Sequence, residues 1–270
     1  MIGAIVYQLR AENSTRLPFI NGRLMHAAFF KVLHSMSPEL EVFVHDNMNI
    51  KPFTVSFLNP ASNLNSEYNS WQVSKGDRFF WRVTALNEDI IQAALSIEIG
   101  QELQAGALTL RFEKVIADKN VRNDSGIMTE EELIASCKNS PLVKEIKFQF
   151  LSPVSFRIDN YDAPYPRSEL IFASLADKWT QSQMSASVDK KMIKELAAQI
   201  RLTQWQGQSK EFYFGRDRGT LGFWGNFVYN LETLSEDVRR VFILLAKFAE
   251  YSGVGRLSAQ GFGQTKVKLQ

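Results

Sequence analysis

The sequence has little of what would mark a secreted or membrane-bound protein. Among its 270 residues there is one cysteine, Cys137, so no internal disulfide can form and a reducing compartment is indicated. No apolar run approaches the roughly 20 residues that a membrane span needs. The short apolar run at the N-terminus is followed by Arg10 and Glu12, unlike a signal peptide. We therefore expect a cytoplasmic protein with no membrane partner.

The sequence also lacks a strong charge and the glycine motifs of nucleotide-binding proteins. Its net charge of +2 is compatible with a nucleic-acid partner but does not require one. Over residues 201–270 basic residues outnumber acidic ones by ten to six, so a local basic groove is conceivable on charge alone. No P-loop motif is present. Gly253-Val254-Gly255 lacks the third glycine of the dinucleotide fingerprint and follows a predicted helix, where that fingerprint follows a strand.

What the sequence does contain is enough apolar material for substantial cores, with 45% hydrophobic residues and 20 phenylalanines. In the first half, β-branched and aromatic runs predict strands, and apolar residues at helical spacing predict helices. Strands are predicted over 2–10, 53–58, 79–86 and 108–116, with helices beginning at residue 23 and spanning 88–97. This β-α-β-β-α-β order is the ferredoxin-like arrangement.

A second α+β unit follows with less regular signals. Strands are predicted over 144–150, 211–214, 221–230 and 265–269, and helices over 169–179, 190–200 and from Ser235 to Gly253. We therefore predict an α+β fold of tandem ferredoxin-like (RRM-like) domains, comprising residues 1–140 and 141–270. The polar join at 118–140 contains Glu130, Glu131 and Glu132, which we interpret as a solvated helix start.

Three separated motifs carry a family resemblance. A helix runs into a glycine-rich stretch over 251–270, ending in Gly261-Phe262-Gly263 and a strand. Residues 43–46 (FVHD) precede residues 51–56 (KPFTVS), and residues 151–156 and 171–179 complete the pattern. Together they resemble the CRISPR repeat-processing endoribonucleases of the RAMP superfamily. The resemblance implies tandem ferredoxin-like domains around one RNA-binding groove, and metal-independent cleavage of precursor CRISPR RNA within its repeats. The ribose 2′-hydroxyl would be the nucleophile and a cyclic phosphate the product.

Such cleavage needs a base, an acid and a cation, and histidine suits either proton role. The chain has three histidines. The resemblance assigns the catalytic role to His45 and a charge-neutralising role to Lys51; without it, a surface histidine in a loop would be the plainer interpretation. His26 is the second candidate, because Arg23 lies one turn before it on the same helix face and could grip a phosphate. A solvated helix face is its alternative. We expect His34 to be structural or exposed.

Two further points bear on the site. Some family members have a tyrosine on the first helix, where this chain has Phe30, which cannot transfer a proton. His26 and His34 lie about 12 Å apart along one helix, too far to share a zinc ion, so we expect neither metal nor cofactor.

RNA contacts are predicted from glycines whose amides could approach phosphates and from neighbouring polar or basic residues. An ordinary helix-to-strand turn and solvated arginines at a hairpin tip are the alternatives. The predicted RNA-binding residues are Arg23, Arg216, Arg218, Gly253, Gly255, Arg256, Ser258, Gln260, Gly261 and Gly263.

The partner expected from the resemblance is CRISPR repeat RNA, with a CRISPR effector complex and a second copy of the chain (a homodimer) as further candidates. Two other functions stay open. The chain could be a non-catalytic RNA-binding subunit of an effector complex, or a ferredoxin-like enzyme that acts on a small molecule.

Overall fold

A computed structural model describes residues 1–47, 50–214 and 219–270. The chain divides into two compact units, residues 1–127 with 259–261, and residues 128–258 with 262–270. No helix in the described ranges is long and apolar enough to cross a membrane. The sequence predicts the division after residue 140 rather than 127. The difference arises because the helix Glu130–Lys138 packs with the second unit, where Arg240 donates to the carbonyl of Lys138 at 3.0 Å.

The first unit combines a main antiparallel sheet with three helices among its described residues. Its strands are β1 (Ile2–Ala11), β2 (Thr15–Pro18), β3 (Phe53–Val55), β4 (Asn59–Pro60), β5 (Ser66–Glu67), β6 (Ser70–Val73), β7 (Arg78–Ala85), β8 (Glu102–Ala105), β9 (Leu108–Ile116) and β10 (Gly126–Met128), and its helices are α1 (Gly22–Met36), α2 (Pro38–Asn47) and α3 (Glu88–Leu95).

The main sheet of the first unit has the order β3-β7-β1-β9-β8. Four of these strands, β1, β3, β7 and β9, are predicted from the sequence. Numbered in chain order, they lie in the sheet as second, third, first and fourth, which is the ferredoxin-like order. Its core is aromatic: the buried Tyr7 ring lies 5.4 Å from Trp81 and 5.2 Å from Phe112. The Tyr7 hydroxyl donates to the carbonyl of Ala94 on α3 at 2.8 Å, so the helix is tied to the sheet beneath it.

Several predictions for the first unit hold and others need correction. The predicted strand 108–116 coincides with β9, whereas the predicted strand 53–58 ends at Val55 and the predicted helix 88–97 ends at Leu95. The sequence does not predict α2, nor the small sheet of β2, β5 and β6.

The second unit repeats the plan with longer strands. Its elements are α4 (Glu130–Lys138), β11 (Glu145–Val154), β12 (Phe156–Ile158), β13 (Tyr161–Ala163), α5 (Ser168–Gln181), α6 (Lys190–Ala197), β14 (Arg201–Phe212), β15 (Thr220–Asn230), α7 (Glu236–Ser252) and β16 (Thr265–Leu269). The sheet order β14-β15-β11-β16 is again second, third, first, fourth. Phe172 on α5 meets Phe242 on α7 at 4.6 Å, so the two helices pack together through aromatic rings.

In the second unit the largest correction concerns the hairpin. The sequence predicts its first strand over 211–214, but β14 runs from Arg201 to Phe212 and most of its residues are exposed. Glu130–Glu132 do begin a helix, α4. It opens with a capping box, because Thr129 accepts from the amide of Glu132 and the Glu132 side chain accepts from the amide of Thr129. This helix belongs to the packed unit rather than to a solvated linker.

Candidate active site

His26 lies on α1, half-buried, with its ring held by a main-chain carbonyl. Its Nδ1 is 2.9 Å from the carbonyl oxygen of Ala259, which belongs to the same compact unit. A carbonyl can only accept, so Nδ1 carries the proton and Nε2 presents a lone pair. Burial lowers the pKa of His26 below its ordinary 6.5; the bond to Ala259 opposes this, and the nearby charges of Lys51 and His45 lower the pKa further. His26 is therefore neutral at neutral pH.

The carbonyl that holds His26 is itself positioned by close packing at the start of α1. A methyl group on Gly22 would lie 1.7 Å from the carbonyl oxygen of Gln260, so only glycine allows this approach. Gly261, at φ 92°, likewise has room for no side chain, because a Cβ there would lie 2.3 Å from the ring of Phe57. Residues 259–261 thus pack tightly against Gly22 and Phe57 within the first unit.

His45 lies in the last turn of α2, and its side chain is exposed. The alternative of a surface histidine in a loop does not describe it, because α2, which the sequence does not predict, extends through His45. Its ring meets the ring of Phe30 edge-on at 5.6 Å. Phe30 also meets His26 edge-on at 4.8 Å, so one phenylalanine touches both imidazoles. Phe53 lies next to this group, 5.9 Å from His26 and 5.6 Å from Phe30. The structure therefore brings His26 and His45 together around an apolar centre.

Lys51 joins the same group through the end of α2. Its Nζ donates to the carbonyl of Val44 at 2.8 Å and to that of His45 at 2.7 Å. These are last-turn carbonyls, where the helix dipole favours a cation. Lys51 therefore fixes the turn that carries His45, a contact that the sequence does not predict.

Two further residues considered from the sequence, Arg23 and His34, also lie on α1. Arg23 is exposed one turn before His26, as the sequence predicts. His34 is also exposed, and its Nδ1 lies 3.9 Å from a carboxylate oxygen of Glu41. In the described part of the chain, no group of three His, Cys, Asp or Glu side chains is placed to hold a metal ion.

The glycine-rich stretch is built differently from what the sequence predicts. The amides of Gly253, Gly255 and Gly263 donate within the protein, to the carbonyl of Ala249, the hydroxyl of Ser174 and the carbonyl of Pro153. Amides engaged in this way are not available to phosphates. The predicted approach of backbone amides to RNA phosphates therefore does not apply to these three glycines. Their positive φ angles, with those of Gly261, instead allow a tightly folded connection.

Two polar residues of this stretch also have internal partners. Arg256 forms an ion pair with Asp162 at 2.6 Å, and Ser258 accepts a hydrogen bond from the buried Lys178 at 3.0 Å. The side-chain oxygen Oε1 of Gln260 is buried, with no hydrogen-bond partner in the described structure. Arg216 and Arg218, predicted at the hairpin tip, lie outside the described residues.

Lys178 is a residue that sequence reasoning missed. It is fully buried on α5, and its Nζ also donates to the carbonyls of Ser252 at 2.8 Å and Gly253 at 3.0 Å. Burial lowers its pKa from 10.5 to about 7, and the charge of Asp177 opposes this shift. A signal existed in the sequence: Lys178 falls seven residues after the buried Ile171, on the apolar stripe of its helix.

Comparison with known proteins gives the family. A model of the CRISPR Cas6 N-terminal domain matches residues 1–123, and a model of the CRISPR-associated endoribonuclease Cas6 matches residues 148–265. The chain belongs to the Cas6 family. The CRISPR-associated endoribonuclease Cas6 of Mycobacterium tuberculosis is 27% identical to it over 128 residues, 47% of this chain and 40% of that protein. This chain therefore spans less than half the length of the curated Cas6 proteins it matches.

Solved Cas6 structures match over nearly the whole chain. A Thermus thermophilus Cas6 in a product complex is 25% identical, with a TM-score of 0.80 over 99% of both chains. A second Cas6 product complex is 22% identical, with a TM-score of 0.75 over 99% of both chains. A RAMP protein described as binding different RNA substrates is 19% identical, with a TM-score of 0.62 over 98% of this chain and 99% of that one. The predicted α+β fold of tandem ferredoxin-like domains is confirmed.

Proposed function

We propose that this Cas6 family member is an endoribonuclease that cuts precursor CRISPR RNA within its repeats without a metal ion. The observation that carries the proposal is the contact of two imidazoles, His26 and His45, with one phenylalanine, Phe30, beside Lys51. Membership of a family whose curated relatives are named endoribonucleases, and similarity to Cas6 product complexes, support it.

In the proposed reaction His26 is the general base. Its Nε2 takes the proton of a ribose 2′-hydroxyl, and the 2′-oxygen attacks the adjacent phosphorus. The bond from phosphorus to the 5′-oxygen breaks, leaving a 2′,3′-cyclic phosphate on one product. The lowered pKa favours the neutral ring, and the Ala259 hydrogen bond places the proton of that neutral ring on Nδ1, so Nε2 offers a lone pair that suits this role.

His45 is the proposed general acid. Its exposed side chain at the end of α2 would give a proton to the departing 5′-oxygen, producing a 5′-hydroxyl. Lys51 would stabilise the extra negative charge on the phosphate oxygens in the transition state. Its bonds to the end of α2 give it a second role, because they hold the turn of His45 in place.

We assign repeat RNA as the partner of the predicted RNA-binding residues. In this proposal the domain of residues 1–140 supplies catalysis and the domain of residues 141–270 supplies the glycine-rich stretch. Arg23 is exposed and near His26 on α1, which suits it to a phosphate contact. Because the amides of Gly253, Gly255 and Gly263 are engaged within the protein, we expect RNA to contact other atoms of residues 253–263.

The test is single-turnover cleavage of the repeat RNA from the organism's own CRISPR array, in EDTA. We compare the wild type with His26→Ala, His45→Ala and the matched control His34→Ala. Correctly placed proton transfer contributes about 10²- to 10⁴-fold to rate, so the first two variants should each slow cleavage at least about a hundredfold with RNA affinity retained. His34→Ala should cut normally, because His34 lies outside the Phe30 group.

Four outcomes would contradict the proposal. Cleavage that stops in EDTA and returns with Mg²⁺ would remove metal independence. Cleavage of a repeat with a 2′-deoxyribose at the scissile position would remove the proposed nucleophile. Tight binding without cutting would place the chain among non-catalytic RNA-binding subunits, and absence of RNA binding would favour a small-molecule enzyme.

A further inference from the structure

A cavity of about 340 Å³ lies beside the edge strand β14 in the second unit. Its lining is mostly aromatic and proline side chains, with two polar residues. The lining residues are Pro164, Tyr165, Pro166, Trp205, Gly207, Gln208, Ser209, Phe223 and Phe227. Phe223 and Phe227 are fully buried, but Trp205 is 67% exposed and Tyr165 is 54% exposed. The cavity thus has an apolar interior and two solvent-facing aromatic rings at its lining.

The cavity is already formed in this structure. Gly207 allows β14 to pack closely against β15 here, since a Cβ there would lie 2.7 Å from the ring of Phe227 and 2.6 Å from the carbonyl oxygen of Trp224. The prolines on the other side are anchored. The hydroxyl of Tyr229 donates to the carbonyl of Pro166 at 2.7 Å, and the amide of Arg167 donates to the carbonyl of Tyr165 at 2.8 Å. A ligand would therefore meet a preorganised site.

The chemistry of the lining indicates a flat ligand with polar edges. Trp205 and Tyr165 offer ring faces for stacking. Ser209, which lies on the same face of β14 as Trp205, offers a hydroxyl. Its side chain has no hydrogen-bond partner within the described part of the chain. The volume is at the low end of the roughly 300–1,000 Å³ typical of small-molecule pockets, which suits one planar ring system.

The charge of β14 favours a ligand that belongs to a nucleic acid. The strand has cations near both ends, Arg201 and Lys210, against one acid, Glu211. The Glu211 carboxylate already accepts a hydrogen bond from the hydroxyl of Tyr213 at 2.6 Å. A backbone of phosphates running along this edge would meet a net positive strand, while its bases could turn towards the aromatic rings.

We propose that this cavity binds one unpaired base of a single-stranded RNA segment, stacked on Trp205 and hydrogen-bonded by Ser209. This inference rests on the proposed function for its ligand, RNA. It adds a site remote in sequence from His26, His45 and Lys51, with a role in affinity and in the choice of RNA rather than in bond cleavage.

The test is a double-mutant cycle between protein and RNA. Labelled repeat RNAs, each with one abasic nucleotide at an unpaired position, are titrated with the wild type, Trp205→Ala and Trp205→Phe. Tyr161→Ala is the matched control, because Tyr161 is 52% exposed in the same unit but does not line the cavity. Stacking of a base on an aromatic ring is worth about 5- to 150-fold in affinity. One abasic position should therefore weaken wild-type binding by at least about fivefold and cost Trp205→Ala nothing further.

Trp205→Phe should restore most of the affinity, and Tyr161→Ala should behave as the wild type. Equal abasic penalties in the wild type and Trp205→Ala would overturn the inference, and cleavage of the bound repeat at the normal rate would show that the proposed function survives. If the wild type neither binds nor cuts the repeat, both fall. Binding of a polyproline peptide that is lost in Trp205→Ala, with RNA affinity unchanged, would assign the cavity to a protein segment.

Discussion

The two units share one strand order and differ in what lies between the strands. In the first unit the connection from the first helix to the second ferredoxin strand contains α2 and Lys51, and it leads to the three-residue strand β3. The corresponding connection of the second unit contains α6 and leads to the 12-residue strand β14. All the histidines fall in the first unit. The fold is therefore common to both units, whereas two of the three candidate catalytic residues, His45 and Lys51, lie in a connection.

The second helix-to-strand connections differ as well. In the first unit α3 leads through a turn at Gly100, beside the exposed Glu98 and Ile99, to the hairpin of β8 and β9. In the second unit α7 leads to β16 through the glycine-rich stretch, where Gly253, Gly255 and Gly263 are buried and hydrogen-bonded. A methyl group added at Gly100 would meet no neighbouring atom, whereas the glycines of the second connection lie in the core.

The largest expected effect comes from adding one methyl group to each of these connections. At Gly263, φ is 71° and a Cβ would lie 2.1 Å from the carbonyl oxygen of Val254. At Gly100, φ is 92° and nothing lies within 4 Å. Gly263→Ala should lower the free energy of unfolding by about 3 kcal/mol or more. Gly100→Ala should lower it by only about 1–2 kcal/mol, which is the cost of a left-handed backbone at a residue other than glycine. Thermal unfolding should show this difference, and equal shifts would contradict it.

The buried lysine gives the second unit a pH dependence of its own. The pKa of Lys178 falls from 10.5 to about 7 on folding, so the unfolded chain holds a proton that the folded chain releases. Stability should therefore rise with pH between about 7 and 10.5, by about 2 kcal/mol from pH 7 to pH 9. Urea unfolding at the two pH values should show this rise in the wild type. Lys178→Met should lose it, and an unchanged slope in that variant would exclude Lys178 as its source.

The first unit should have a pH dependence in its rate. Because the proposed base must be neutral and the pKa of His26 is lowered, the acidic limb of kcat/KM should have its midpoint below pH 6.5. Below that midpoint the rate should fall about tenfold per pH unit. The limb should be absent from the residual activity of His26→Ala and unchanged in His34→Ala. A midpoint above 6.5 would argue against His26 as the base.

The smallest effect distinguishes equivalent helices of the two units. Asn87 caps α3, its side chain accepting from the amide of Asp89 at 2.8 Å, whereas Ser235 at the start of α7 makes no side-chain cap bond. Asn87→Ala should cost about 1 kcal/mol and lower the melting temperature by about 2–4 °C. Ser235→Ala should leave it nearly unchanged. Comparable shifts in both variants would show that Ser235 caps α7 in solution.

The parts of the fold that the sequence predicts well are those with one buried face. The strands 108–116 and 265–269 alternate or contain β-branched residues, and both predictions coincide with β9 and β16. The edge strand β14 is exposed along most of its length, so it has no alternation to detect and only its end was predicted. Helix α2 was missed for a related reason: of its described side chains only Val44 is buried, while Val42 and Phe43 are exposed.

For the candidate site, residue types were predictable but partners were not. Histidine and lysine suit the proposed chemistry, and motif resemblance pointed to His45 and Lys51. The protonation of His26 depends on the carbonyl of Ala259, 233 residues away, which no local pattern reveals. The engaged amides of the glycine-rich stretch are equally a matter of tertiary contact, which is why the same glycines suggested an open phosphate site.

The placement of residues 259–261 in the first unit has a consequence for how the protein is made. At about 5–20 residues per second, a ribosome adds Ala259 roughly 10–50 s after His26. For that interval the emerging first unit lacks the carbonyl that selects the His26 tautomer. The nascent chain therefore holds its histidines long before one of them has its partner, and the proposed base is completed only once Ala259 has been added.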